Sequence, residues 1–209
     1  MESQRNGSEI TTDAELDALY GAPKTTSLVK ELDHVSEDYR AFIEAAPFVV
    51  LATTGPDGLD ISPRGDPAPV VKVLAPRALL LPDRRGNNRI DSLRNLIHTP
   101  QIGLLFLIPG IGETLRVQGR ARISVDPALL AAQEMDGKPP RSVLLIDVER
   151  VYFQCQKALR RARLWEAEVQ IARATLPSTG QMLERMSAGA VDGAAYDAEY
   201  PARMRRTIY

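Results

Sequence analysis

The chain has 209 residues, of which 44% are hydrophobic and 25% charged, with a formal net charge of −1. This is the composition of a soluble globular protein of one domain, or one domain plus a structured tail. The near-zero charge argues against the broad basic field of a nucleic-acid binder. A single cysteine, Cys155, excludes an internal disulfide and a Cys-Cys zinc site. His34 and His98 stand too far apart for metal-ligand spacing, so no metal site is expected.

Along the chain, residues 1–32 read as a polar N-terminal arm, interrupted by Gly21 and Pro23. Residues 33–46 are helix-like, with Asp33 or Ser36 as cap, Val35, Tyr39, Phe42 and Ile43 on one face, and Pro47 as the stop. Residues 48–53 and 59–62 make a hairpin around Gly55-Pro56-Asp57-Gly58. Residues 70–74 and 78–81 make a second pair, and residues 102–108 form a fully buried strand. Over residues 114–124, Leu115, Val117, Gly119, Ala121 and Ile123 alternate with Arg116, Gln118, Arg120 and Arg122, giving one core face and one wet or ligand-facing one. A seventh strand covers residues 143–153.

Between strands, residues 88–98 and 126–135 carry helical spacing; Asp126 and Pro127 start the second and Gly137 closes it. After Phe153 the pattern turns helical over residues 157–175 and 178–187, and a partly apolar tail holds Tyr196, Tyr200, Met204 and Tyr209. That tail covers an active site or braces a second subunit. Seven strands that never alternate with helices argue for a mainly β antiparallel barrel with helical extensions. The divisions are the arm at 1–32, a barrel domain at 33–165 and a helical C-terminal extension at 166–209.

Four features carry the chemistry. In Asp83-Arg84-Arg85-Gly86-Asn87-Asn88-Arg89, three arginines crowd the start of a helix, with Asn88 as N-cap and Asp91 completing a capping box. Cations there are disfavoured by about 0.3–1 kcal/mol each. The loop is therefore either a solvated charged turn or a site for an anion such as phosphate. It is no P-loop, lacking the glycine spacing and the lysine. The second feature, Ser62-Pro63-Arg64-Gly65-Asp66-Pro67, is a rigid loop just past a strand end that displays Ser62 and Arg64. The third is the arginine face of residues 114–124, solvated or lining a cleft. The fourth, residues 157–165, is a basic helix with Lys157, Arg160, Arg161, Arg163 and Trp165, in which the tryptophan either packs or stacks on a ligand. Cys155 reads as a buried small hydrophobe. No catalytic acid, base or nucleophile is identifiable.

Together these features resemble the pyridoxamine 5′-phosphate oxidase-like family of FMN-binding split barrels. The resemblance is carried by Ser62 to Asp66, Asp83 to Arg89, Glu113 to Val117 and Lys157 to Trp165. It implies a six-stranded antiparallel split β-barrel that dimerises with FMN at the subunit interface. It makes Arg84, Arg85, Asn87, Asn88 and Arg89 the phosphate loop, puts Ser62 and Arg64 near the flavin ring or ribityl chain, and brings Arg116, Lys157, Arg163 and Trp165 from the partner or the barrel rim. True pyridoxine phosphate oxidases carry an Arg-x-His signature near the C-terminus; this chain has no histidine after His98, so vitamin B6 oxidation is not expected.

The resulting expectation is an FMN-dependent oxidoreductase acting on an unknown small molecule. The alternatives are a flavin carrier or redox sensor without turnover, and, further off, a haem- or deazaflavin-binding barrel. No nucleic-acid partner is expected. The longest apolar run, residues 102–108, is too short to cross a bilayer, and residues 1–20 show no secretory pattern, so a cytoplasmic protein is expected.

Overall fold

Ser36 accepts a hydrogen bond from the Tyr39 amide and starts a helix whose inward Tyr39 and Ile43 are buried. In the computed structural model, which describes residues 9–209, this helix is α3 (Glu37–Ala45). It follows two short helices of the arm, α1 (Asp13–Tyr20) and α2 (Thr25–Leu28), neither of which buries a residue. The N-terminal part of the expected arm, residues 1–8, lies outside the described residues.

The strands are β1 (Phe48–Gly55), β2 (Gly58–Gly65), β3 (Lys72–Ala75) and β4 (Ala78–Asp83). Then come α4 (Asp91–His98), β5 (Gln101–Leu107), β6 (Thr114–Ser124), α5 (Pro127–Ala131) and β7 (Ser142–Gln154). The β1–β2 turn has two residues, Pro56 and Asp57, and Gly58 takes a φ of +103° that a side chain would resist. On β6 the expected alternation holds: Leu115, Val117, Gly119 and Ala121 are buried and Arg116, Gln118, Arg120 and Arg122 exposed.

All neighbouring strands are antiparallel, in the order β2-β1-β5-β6-β7-β4-β3. The six-stranded barrel implied by the resemblance is corrected: the described residues form seven strands in one sheet whose edges, β2 and β3, do not pair. β3 is only four residues long and bulged between Val73 and Ala75, so it offers little ladder to close against. Helices cover the sheet instead. α3 packs against β3, β6 and β7, and α4 against β1, β2 and β6. Ile43, Leu51, Phe106, Leu115 and Ile146 form the centre of one continuous core.

After β7 the chain makes α6 (Lys157–Ala162), two 3₁₀ turns, α7 (Thr179–Met186) and α8 (Gly193–Thr207). The long helix expected over residues 157–175 is corrected: Arg163 adopts a left-handed φ of 51° and ends α6 after six residues. Among the described residues no helix is long and apolar enough to cross a membrane.

Candidate functional site: an arginine-lined cavity

The loop between β4 and α4 carries three of the arginines, and two left-handed residues shape it. Asn88 has φ 62° and Ile90 φ 52°. Asn tolerates this conformation, because its short amide can bond locally; a β-branched isoleucine does so only under constraint. The expected cap is therefore corrected. Ile90, not Asn88, precedes the first turn of α4, and no side chain caps it. The Asn88 amide instead accepts from Arg141 Nη1 at 3.0 Å, and Asn87 Oδ1 accepts from the Arg89 amide at 3.1 Å. These bonds shape the loop and its guanidinium groups, of which that of Arg89 pairs with Asp91 in the first turn of α4.

The loop borders a cavity of about 850 Å³. Its walls bring together Ser62, Arg64, Arg84, Arg85, Asn87, Asn88 and Arg89, seven of the residues singled out in the sequence. Ser62 and Arg64 reach it from within a strand, which corrects the expected loop: β2 runs on to Gly65 with Pro63 in it. Proline is tolerated because β2 is an edge, where half the amides make no ladder bond. Ser62 and Arg64, two apart, therefore point the same way.

The cations of the cavity differ in how far they are committed. Arg84 donates from Nε to Asp66 at 2.7 Å and from Nη1 to the Gln133 carbonyl, leaving Nη2. Its side chain is 17% exposed and that of Asp66 5%, so the pair is a wall element more than a mobile ligand. Arg64 bonds the Ser62 hydroxyl and lies 3.8 Å from Asp83, and Arg89 is paired with Asp91. Arg85 is exposed and, among the described residues, makes no ion pair. Asp60 and Ser92, which bond each other, complete this wall. Burial pushes the Asp83 carboxyl above the usual carboxylate range, against the pull of Arg64 and Arg141. The cavity is thus a cluster of guanidinium groups with partial carboxylate compensation and, among the described residues, one uncommitted cation, Arg85.

Four of the expected residues do not line this cavity within one chain. Arg116 lies on the exposed face of β6, 5.7 Å from the Tyr152 ring centroid. Arg163 and Trp165 border a second, shallower space of about 610 Å³ beside Gly110, Glu113 and Gln156. There Arg163 pairs with Glu166 at 2.6 Å and Trp165 Nε1 donates to the Ile111 carbonyl at 2.8 Å. Lys157, at the start of α6, lines neither space. Cys155 is exposed, not buried, because it stands just beyond the last paired residue of β7.

Sequence reading passed over Asp66, Asp83, Arg141 and Tyr209 as wall residues. The two aspartates stand inside motifs already singled out, and their opposite charge among arginines was the available signal. Arg141 and Tyr209 are distant in sequence, and nothing local to them points here.

The family described as pyridoxamine 5′-phosphate oxidase matches residues 35–155, more than half of the chain. The chain belongs to this family. The match takes in β2, the arginine loop and Arg141; Trp165 and Tyr209 lie beyond it. No curated protein matches the chain. Among solved structures, HupZ of Group A Streptococcus is similar, with 19% identity and a TM-score of 0.46 over 56% of this chain and 91% of that one. A protein from Clostridium acetobutylicum related to general stress protein 26, of the pyridoxinephosphate oxidase family, has 16% identity and a TM-score of 0.43, covering 56% of this chain and 86% of its own. An FMN-binding protein from Syntrophomonas wolfei has 12% identity and a TM-score of 0.43, covering 55% and 82%.

Proposed function

We propose that this member of the family is a flavoprotein that holds FMN in the arginine-lined cavity and acts as an FMN-dependent oxidoreductase on a small molecule. The observation that carries the reading is Arg85: an exposed cation that makes no ion pair among the described residues, in a loop already crowded with guanidinium groups. A phosphate monoester would supply the missing counter-charge. The fit is adequate in size as well, since small-molecule sites run to about 300–1,000 Å³ and this cavity measures about 850 Å³.

Arg85 and Arg89 would hold the phosphate, with Arg84 Nη2 as a fixed third donor and Asn87 and Asn88 shaping the loop. Ser62 and Arg64, on the adjoining strand, would face the rest of the cofactor. Bound FMN supplies hydride and electron transfer, and the protein contributes binding, orientation and hydrogen bonds. Arg64, beside the ring, would favour negative charge there. Among the described residues, Tyr209 is the one side chain lining the cavity of a type that commonly ligates haem iron, and its hydroxyl is engaged with Asp66, which disfavours the haem alternative.

The working unit is a homodimer. β2 is an edge strand whose outward Leu59 and Ile61 are 74% and 64% exposed, and Ile97 on the neighbouring α4 is 71% exposed. Exposed apolar side chains on an unpaired strand edge are a liability unless something covers them. Ile61 also borders the cavity, so a second copy seated there would close its mouth. The same copy would bring Arg116, Lys157, Arg163 and Trp165, which do not line their own chain's cavity, towards the cofactor.

The test is the absorption spectrum of the purified protein after incubation with FMN and exhaustive dialysis. Retained flavin bands are expected, and Arg85→Ala is expected to weaken FMN binding roughly ten-fold or more, the loss of one charge-assisted contact. A colourless wild-type protein sinks the reading. A protein that keeps FMN but is not reduced by NADH or NADPH would point to a carrier or redox sensor.

A further inference from the structure

The C-terminal residues return to the arginine-lined cavity from far along the chain. Ile208 and Tyr209 both line it. The Tyr209 hydroxyl donates to Asp66 Oδ1 at 2.8 Å, and its ring lies 5.7 Å from the Arg84 guanidinium, which itself donates to the other oxygen of the same carboxylate. Lys138 Nζ donates to the Tyr209 carbonyl oxygen at 2.9 Å from the other side. The aspartate of the cavity wall thus holds an arginine with one oxygen and the chain's last tyrosine with the other.

What carries Tyr209 is a stiff piece on an exposed strap that Trp165 ties to the Ile111 carbonyl near its start. α7 and α8 pack on each other, and neither lies face to face on a strand of the sheet. They approach closely because Gly180 and Gly193 meet: a Cβ on Gly180 would stand 2.0 Å from the Gly193 carbonyl oxygen. Asp197 of α8 bonds both the Ser178 hydroxyl and the Gly180 amide, locking the pair. The connection to the sheet is different in kind, since every residue from 160 to 177 is exposed. A stiff helical hairpin on an exposed strap, fastened at its far end by the Tyr209 phenol on Asp66 and by Lys138 on the Tyr209 carbonyl oxygen, has the mechanics of a hinged wall.

A plug and a lid differ in the space they leave. With Tyr209 fastened the cavity still measures about 850 Å³, within the range of small-molecule sites, so the strap closes over an occupant rather than replacing it. We propose that Tyr209 is a ligand-retaining residue of the cavity, and that the α7–α8 hairpin is a lid that must unlatch from Asp66 for the cavity's ligand to enter or leave. The ligand is the phosphate-bearing cofactor of the preceding reading, on which this assignment of occupant rests; the latch itself does not depend on it.

A lid slows entry and exit alike, whereas an ordinary wall contact slows exit only. Association and dissociation of FMN are followed by quenching of its fluorescence in the full chain and in Tyr209→Phe, which keeps the ring and the Lys138 contact and removes the bond to Asp66. Both rates are expected to rise roughly ten-fold, the value of a hydrogen bond to a carboxylate, with Kd changing less than either rate. In parallel, hydrogen–deuterium exchange without ligand is expected to quicken at the end of α8 in the variant and stay unchanged in β5 to β7. If only dissociation quickens, Tyr209 is a wall contact and the lid is overturned; if neither rate moves, or exchange at the end of α8 is unaltered, the latch is overturned. If wild type binds no FMN, the flavin reading falls, and the exchange experiment alone then decides the latch.

Discussion

Asp83 stands in the arginine motif yet works against it. Its carboxyl lies above the usual carboxylate range because burial penalises its charge more than Arg64 and Arg141 favour it. For an acid whose folded value is raised, the charged form costs stability at neutral pH. That cost fades as pH falls through the folded value, and is gone below the ordinary value of 3.8. Asp83→Asn is therefore expected to melt higher than wild type at pH 7, with the gap closing towards pH 3.8 in thermal melts across a pH series. The same change removes a negative charge from the cavity wall. Phosphate-ester binding, read by titration with FMN, is expected to tighten roughly ten-fold at low salt and less as salt is added. A variant that melts lower at pH 7 would show that the Arg64 and Arg141 contacts outweigh the burial cost. At this scale the sequence told which side chains gather, but not how each guanidinium is committed. Whether Arg84 or Arg85 faces a ligand depends on Asp66 and Gln133, which are far from both in the chain.

At the scale of elements, strands were more legible than connections. The alternation over β6 is a period-2 pattern set by burial of one face, so its bounds, Thr114–Ser124, follow directly from side-chain type. The cap of α4 and the length of α6 were misread for one reason: Asn88, Ile90 and Arg163 adopt left-handed backbone angles. Only Asn88 is a residue type that advertises this, and local propensity gives no hint at isoleucine or arginine. Gly119 shows the reverse case, where a residue chosen for flexibility is needed for space. It stands at the register shift between β6 and β7, and a Cβ there would come within 2.1 Å of the Asp147 carbonyl oxygen. Backbone cannot swing aside as a side chain can, so the β6–β7 ladder itself would have to move. Gly119→Ala is expected to cost about 2–4 kcal/mol. In a circular-dichroism melt that is a fall in Tm of roughly 4–16 °C. An unchanged Tm would mean that the bulge gives way freely.

For the whole molecule, the residue pattern told the mainly β antiparallel class and seven strands, whereas the six strands that the resemblance implied were wrong and closure was beyond the sequence. Whether β2 and β3 meet depends on twist accumulated over seven strands and on a four-residue edge, neither of which leaves a local pattern. That the sheet stays open has a consequence for assembly. An open edge with apolar side chains is a liability unless something covers it, and Leu59 and Ile61, two apart on β2, are both exposed, with Ile61 bordering the cavity. If a second copy covers them, a charge introduced at the centre of that face must be desolvated on assembly, and the dimer should fail while the monomer, in which Leu59 is already exposed, folds as before. On the proposed homodimer, wild type is expected to sediment as a dimer in analytical ultracentrifugation and Leu59→Lys as a monomer at the same concentrations, with Tm lowered only by the loss of association. It is also expected to lose most FMN affinity, because the cavity mouth would then open to water and lack the partner's Arg163 and Trp165. A Leu59→Lys protein that still dimerises would move the interface to another face. One that is monomeric yet binds FMN as wild type does would show that each cavity is complete within its own chain.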